Sequence, residues 1–471
     1  RSTFFPYTTL FRSALARFKI MGILFGTDGV RGIANKELTP DIAYKLGKAG
    51  TEVLGSIHSN PTFVIGKDTR RSGYMLENSI AAGILSMGGN VIKAGVIPTP
   101  AVARLVQVYR AQAGVVISAS HNPFQDNGIK FFNGEGYKLS DEMETKIEDF
   151  VLGRESFERK LLTGAMVGKE TDLENEARAL YIEYLLSTVD YILEDYKIVL
   201  DCANGASYQV APKVYERLGA EVITIGTGPN GLNINENIGS THPELLQETV
   251  VREKADIGLA FDGDADRLIV VDEKGQVIDG DRTICICARM LKEAGKLKDN
   301  RVTATVMSNI GFHRYIEAMG GSVDVTDVGD RYVLESMRKT GSVIGGEQSG
   351  HIIFSDYSTT GDGILSSLQF IRALVESKKK ASELAETVVL YPQVLVNARV
   401  SREGKTEYRN NGEILSAIEK IEKSLEGEGR VLIRPSGTES LVRVMIEGKD
   451  ESEIADMAKE LAELIGSKYG G

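Results

Sequence analysis

The segment Ile117 to Lys130 reads Ile-Ser-Ala-Ser-His-Asn-Pro-Phe-Gln-Asp-Asn-Gly-Ile-Lys and puts hydroxyl, imidazole and amide groups directly after an apolar, strand-like run. Ligands of α/β sheets bind at that end of a strand. Ser120 followed by His121 can act as a nucleophile beside a base, whereas the plainer account is a turn built by Ser, Asn and Pro. The residues alone leave both open. In a second segment, Phe261 to Arg267 (Phe-Asp-Gly-Asp-Ala-Asp-Arg), Asp262, Asp264 and Asp266 alternate along the chain. Three carboxylates this close repel unless a hard cation sits among them, and Mg²⁺ takes such oxygens while leaving positions for phosphate. A calcium loop would use Glu273 as its twelfth residue, but Arg267 stands where its sharp turn needs Gly, and Leu268 to Val271 continues as a strand. A solvated acidic turn is the remaining alternative.

Arg434 to Thr438 (Arg-Pro-Ser-Gly-Thr), with Arg443 close behind, gathers two cations, two hydroxyls and a glycine that lets backbone approach a ligand. Ser436, Gly437 and Thr438 between such arginines suit a phosphate grip, although Pro-Ser-Gly-Thr by itself is a polar turn between strands. Gly345 to His351 (Gly-Gly-Glu-Gln-Ser-Gly-His) offers Glu347, Gln348, Ser349 and His351, groups suited to sugar hydroxyls and proton exchange, or else a hairpin loop with a solvent-facing His. Gly26 to Gly32 adds Arg31 in a glycine-rich loop, a weak signal by itself.

Such groups need strands to aim them. Three stretches repeat an apolar run, an amphipathic helix and a second apolar run, the pattern of βαβ units in a mainly parallel sheet. The first has strands at 63–66, 91–96 and 114–118 with a helix over 74–87; the second has strands at 197–200, 222–225 and 257–261; the third has strands at 302–306, 323 and 343–344 with a helix over 312–319. The C-terminal part differs, with strands at 394–400, 431–433 and 441–446 and a closing helix striped by Ile454, Met457, Ala458, Leu461 and Ile465, with Asp450 and Glu453 as a capping box. The expected fold class is α/β: three similar α/β domains with mixed, mainly parallel sheets, plus a smaller C-terminal α+β domain. Polar stretches near 165–175 and 376–388 mark linkers, giving domains at 21–172, 173–276, 277–387 and 388–471.

A chain of 471 residues with 42% apolar and 26% charged residues has globular composition and carries several domains. It has no apolar run long enough to cross a bilayer, and a net charge of −11 argues against nucleic acid. Three cysteines without metal-ligand spacing indicate neither a disulfide framework nor a zinc site and fit a reducing cytoplasm. Residues 1–20 read as a non-native extension, because Tyr7 to Ser13 looks like a translated sequencing adapter and Met21 looks like a natural start; without them the charge is −15.

The five segments, in this order and spacing, resemble the α-D-phosphohexomutase family over Met21 to Gly471. The resemblance implies four domains around a central cleft and an isomerase acting as an intramolecular phosphotransferase. It also implies Ser120 as a phosphoserine, and one Mg²⁺ held by Ser120, Asp262, Asp264 and Asp266. It gives Arg31, Lys130 and His351 roles in proton transfer and makes His121 and Arg267 further active-site groups. Glu347, Gln348 and Ser349 would meet sugar hydroxyls, and Arg434, Ser436, Gly437, Thr438 and Arg443 the phosphate that is not reacting. In the family mechanism the phosphoserine phosphorylates a sugar monophosphate, and the bisphosphate turns over and returns its other phosphate; a sugar bisphosphate activator is a further candidate cofactor. Gln348, the stretch Pro229 to Pro243 and the stretch Gly66 to Gly73 look most like the amino-sugar branch, which implies glucosamine 6-phosphate as substrate and a product that feeds UDP-N-acetylglucosamine synthesis. Two departures stand out: Ala265 where Gly is common, and Ser440 after Glu439 where Pro is expected. The rivals are a glucose or mannose mutase of the same family, a Mg²⁺-dependent sugar phosphatase, and a silent sugar-phosphate binder, which would have lost Ser120 or an aspartate. Small sugar phosphates are the expected partners, with no membrane or nucleic acid, and the chain is expected to act as a monomer or homodimer.

Overall fold

The computed structural model describes residues 24–26, 28–55, 60–157, 162–401, 403–436 and 440–470. The proposed extension 1–20 and the candidate ligands Gly437 and Thr438 lie outside them.

The described chain builds four sheets of seven, five, four and three strands. In the first, Ala113–Ile117 (Ala-Gly-Val-Val-Ile) is buried along its whole length, as expected of a central strand covered on both faces. It runs parallel to Thr62–Lys67, which runs parallel to Asn90–Val96. On its other side lies Asp126–Asn133, antiparallel, and beyond that Gly29–Ile33, also antiparallel. The sequence reading assigned no strand to Asp126–Asn133. Pairing with Ala113–Ile117 overrides its turn-like Asp-Asn-Gly start.

The second and third sheets repeat this arrangement. Ile257–Phe261 is parallel to Lys197–Asp201 and antiparallel to Leu268–Asp272. Ile344–Gly346 is parallel to Arg301–Thr305 and antiparallel to Ile352–Phe354. In the C-terminal domain, Leu441–Glu447 lies antiparallel between Gln393–Arg399 and Arg430–Pro435. Each chemistry-bearing segment therefore stands at the end of an antiparallel pair: 118–125 in the first domain, 262–267 in the second, 347–351 in the third, and in the fourth the end at which Arg434 and Pro435 pair with Arg443 and Val442. A tip between two hydrogen-bonded strands is placed by the ladder on both sides, which suits a site needing sub-ångström geometry.

Helix ends follow local chemistry. Asp279 caps Gly280–Glu293 by accepting from the Arg282 N–H at 3.0 Å, and Asp362 caps Gly363–Ser377 through Leu365 N–H at 2.9 Å. Asp450 accepts from Glu453 N–H at 3.0 Å at the start of Glu451–Tyr469, the first half of the expected capping box. The stretch read as a linker near 165–175 contains a short strand, Glu170–Asp172, which joins the first sheet beside Asn90–Val96. Likewise the stretch 376–388 contains a helix, Ala381–Ala385.

One apolar cluster runs continuously from Val64 in the first sheet through Tyr181 and Phe261 to Phe370 and Val388, so the first three domains share a core. The C-terminal domain has its own, from Ala398 to Ile465. Cys202, Cys285 and Cys287 are buried and unpaired, and burial pushes the Cys202 thiol up to about 12. Among the described residues, no helix is long and apolar enough to cross a membrane.

Candidate active site

Ser120 sits at the tip between Ala113–Ile117 and Asp126–Asn133, only 2% exposed, with φ of +52°. That left-handed conformation is costly for a residue with a Cβ, and at a functional residue it marks a turn held by its surroundings. The holding groups are visible. Its N–H donates to Ser118 Oγ at 2.9 Å, Ser118 Oγ donates to Asp68 Oδ2 at 2.6 Å, and Asp68 pairs with the fully buried Arg70. The Ser120 hydroxyl donates to Asp262 Oδ2 at 2.5 Å, across the boundary between the first two domains, and His121 Nδ1 lies 3.4 Å from the same hydroxyl.

Asp262, Asp264 and Asp266 are buried on one tip, and one ligand atom from each falls within 4.8 Å of the others. Ala265 carries φ of +58°, the conformation that glycine adopts freely, which accounts for the loop keeping its shape with the unusual alanine at a small cost. Burial, then Asp266 and Asp264, push the Asp262 carboxyl well above the usual range. Asp264 goes the other way: burial is outweighed by the Lys130 ammonium and the Thr99 hydroxyl, which donates to Asp264 Oδ2 at 2.7 Å. The Oδ1 atoms of Asp264 and Asp266 are buried without a hydrogen-bond partner. Buried anionic oxygens left in this way fit a hard divalent cation, so the residues present could hold a metal ion.

Around the triad lies a chain of ion pairs. Lys130 Nζ reaches Asp264 Oδ2 at 3.0 Å and Asp28 Oδ2 at 2.9 Å. Asp28 also pairs with Arg31 and accepts from Lys138 Nζ at 2.6 Å, and Lys138 pairs onward with Asp330. His351 Nε2 is 3.6 Å from Asp330 Oδ2, and its Nδ1 is 3.6 Å from Asp266 Oδ2. The network thus links three domains and closes on the aspartate loop from two sides. Burial opposes charge on Lys130, but Asp264 and Asp28 raise its pKa, so it is held as a cation. Burial, Arg267 and Arg31 lower His121 to about 4, leaving a neutral imidazole beside the Ser120 hydroxyl at neutral pH.

Glu347 anchors the third tip by accepting from Gly329 N–H at 3.0 Å. Gln348 donates its amide nitrogen to Asp279 Oδ2 at 3.3 Å, and Ser349 is exposed. On the fourth domain Arg434 and Arg443 are directly opposite across the ladder. Like charges so placed repel, and burial followed by Arg443 lowers the Arg434 pKa. An anion between them would relieve the repulsion. Ser436 is buried, and its carbonyl accepts from Lys405 Nζ at 2.9 Å.

Every sequence-derived candidate within the described residues therefore lies on, or faces, one of the four tips. Sequence reading missed Asp28, Thr99, Lys138 and Asp330, and gave no role to Asp68, Arg70 or Asn235. Asp28 stands three residues before Arg31 in the stretch Gly26 to Gly32, expected as a loop but running as a strand from Gly29 because it pairs with Asp126–Asn133, and Asp68 and Arg70 lie in Gly66 to Gly73, so the motifs held a signal without revealing partners.

The chain matches family models for all four parts of one architecture: phosphoglucomutase/phosphomannomutase alpha/beta/alpha domain I over residues 22–157, domain II over 179–275, domain III over 279–391 and the C-terminal domain over 395–464. The chain belongs to the phosphoglucomutase/phosphomannomutase family. Among curated relatives, the phosphoglucosamine mutase of Thermoanaerobacter pseudethanolicus is 56% identical over 448 residues, 95% of this chain and 100% of that one. That of Clostridioides difficile is 54% identical over 444 residues, 94% and 99% of the two chains. The crystal structure of a phosphoglucomutase/phosphomannomutase family protein from Burkholderia thailandensis superposes with a TM-score of 0.75 at 24% identity, covering 94% of this chain and 98% of that one. The Aspergillus fumigatus N-acetylphosphoglucosamine mutase in complex with GlcNAc-6P and magnesium gives 0.66 at 18% identity, covering 94% and 95%. These structures share the fold of three α/β domains and a C-terminal domain.

Proposed function

We propose that this protein interconverts glucosamine 6-phosphate and glucosamine 1-phosphate, carrying the phosphoryl group on Ser120 and passing through a bisphosphate. The observation that carries this reading is the Ser120 hydroxyl 2.5 Å from Asp262 within a buried aspartate triad, in a chain 54–56% identical to phosphoglucosamine mutases. The four loops are assigned to functional units 21–172, 173–276, 277–387 and 388–471.

Asp262, Asp264, Asp266 and the phosphorylated Ser120 would hold one Mg²⁺, which when bound offsets charge on the transferring phosphoryl group. The P–O bond to Ser120 breaks as a bond forms to the free hydroxyl of the sugar monophosphate, and the proton that hydroxyl gives up ends on the Ser120 oxygen, which leaves as the free hydroxyl. Arg31, Lys130 and His351 assist the proton movement. Lys130, held cationic by two carboxylates, is suited to support charge or protonate a departing oxygen. His121 is neutral and within reach of Ser120, and Arg267, whose N–H donates to Asp262 Oδ1 at 3.2 Å, steadies the metal loop. Glu347, Gln348 and Ser349 face the sugar. Arg434, Ser436, Gly437, Thr438 and Arg443 grip the second phosphate, so the intermediate stays bound while it turns. A sugar bisphosphate would prime Ser120. We place the enzyme in the cytoplasm as a monomer or homodimer, its product feeding UDP-N-acetylglucosamine synthesis.

The test is a coupled assay with Mg²⁺ on glucosamine, glucose and mannose 6-phosphates, with intact mass before and after a sugar bisphosphate. Amino-sugar preference and one added phosphoryl group, absent in Ser120→Ala, are expected. Free phosphate without any sugar 1-phosphate would overturn the reading.

A further inference from the structure

The carbonyls of Ser120 and Asn122 converge. Arg70 Nη2 donates to the first at 3.1 Å and to the second at 2.5 Å. Asn235 Nδ2, from the second domain, donates to the same two oxygens at 2.9 and 3.0 Å. Asn235 is buried with φ of +59°, fixed by its own N–H to Ala203 C=O at 2.9 Å. The loop 229–243 that carries it is stitched to the first domain at a second place, where Arg71 N–H donates to Gly231 C=O at 3.0 Å. The metal loop closes over the same carbonyl: a Cβ on Gly263 would stand 2.5 Å from Ser120 O and 2.9 Å from Asn235 Nδ2.

Two peptide carbonyls aimed at one point repel unless donors fill it. Here one donor is the first domain's own guanidinium and the other is an amide delivered by the second domain. The Ser120 turn therefore has its aim completed only when the two domains are docked. We propose that Asn235 is a positioning residue for phosphoryl transfer, acting with Arg70 to hold the Ser120 turn so that its hydroxyl faces Asp262. On this view loop 229–243, a stretch the sequence offers only as a mark of the amino-sugar branch, serves the reacting serine. This rests on the reading that Ser120 carries the phosphoryl group.

The experiment compares the full-length chain with Asn235→Ala, Asn235→Asp and, as a control in the same loop, Asn230→Ala, an exposed position whose side-chain oxygen accepts from Leu232 N–H within the loop. Three readouts are taken: kcat and KM for glucosamine 6-phosphate, the rate of Ser120 phosphorylation by glucose 1,6-bisphosphate from intact mass, and the melting temperature. A small misplacement of a reacting atom costs up to about a hundredfold in rate. Asn235→Ala is expected to lower kcat and the phosphorylation rate together by about tenfold or more, with KM within about twofold. Asn235→Asp, which turns a carboxylate oxygen toward two carbonyls, is expected to be slower still, and Asn230→Ala to match the parent. Unchanged kcat in Asn235→Ala, or a loss wholly in KM, overturns the proposal. So does an Asn230→Ala loss as large as that of Asn235→Ala, which would mean general loop damage. If the parent chain takes no phosphoryl group at Ser120, the underlying reading fails instead, a result recognisable before any variant is made.

Discussion

Replacing Asp28 by Asn keeps the shape of the side chain and removes one charge from the centre of the ion-pair chain. Asp28 faces three cations: Lys130 at 2.9 Å, Lys138 at 2.6 Å, and Arg31. At an effective dielectric of about 20, unit charges about 3 Å apart attract by roughly 5–6 kcal/mol, most of which desolvation offsets. Removing one partner of a buried pair costs about 3–5 kcal/mol. The lower end applies here, because Lys130 keeps Asp264 and Lys138 keeps Asp330. A loss of about 3 kcal/mol is expected in urea denaturation, together with a fall in kcat, since the released Lys130 would lean on Asp264. A circular dichroism titration with a parallel mutase assay reads both. A variant as stable and as active as the parent would refute the argument that Asp28 balances the three cations.

Arg434→Gln is expected to raise KM for the sugar phosphate by about tenfold to a hundredfold, the worth of a charge-assisted contact of about 1.5–3 kcal/mol, without lowering the melting temperature, because it also relieves Arg443. Steady-state kinetics and a thermal melt check the two halves. Asp281, pushed up to about 8 by burial and then by Asp279, keeps a proton in the fold that the unfolded chain releases at much lower pH. Its contribution is therefore full at low pH, and stability falls by up to about 1.4 kcal/mol per unit as pH rises to about 8. Asp281→Asn retains an acceptor for the Asn309 N–H and should flatten that slope in denaturation curves from about pH 5 to about pH 9. Gly263→Ala places a methyl group 2.5 Å from the Ser120 carbonyl and should abolish most mutase activity while glucosamine 6-phosphate binding at the remote arginines persists by calorimetry.

The candidate tips stood out in the sequence because they concentrate rare combinations: three aspartates on alternate positions, or hydroxyls between arginines. The sheets were legible where apolar runs are continuous, as in Ala113–Ile117 and Ile257–Phe261. What was hidden is whatever depends on distant pairing. The strand Asp126–Asn133 exists because a partner strand holds it, and Lys138 acquires its role from Asp330, which lies 192 residues away. No local pattern encodes such contacts. Arg70 drew no role from the stretch Lys-Asp-Thr-Arg-Arg, yet among the described residues it is the largest fully buried side chain. A buried charge needs partners: Asp68, two residues away, supplies the counter-charge, and the Ser120 and Asn122 carbonyls of the 118–125 tip accept from the rest of the guanidinium.

The sealed thiols have a practical side. Maleimide dyes attack thiolate, and Cys202, Cys285 and Cys287 are buried, with burial raising each thiol above its ordinary range. The native cysteines can stay in place while two new ones are introduced at exposed sites such as Glu142 and Glu460. Fluorophores there would report whether the C-terminal domain, which has its own core, changes its distance from the fused trio during turnover, without a cysteine-free background.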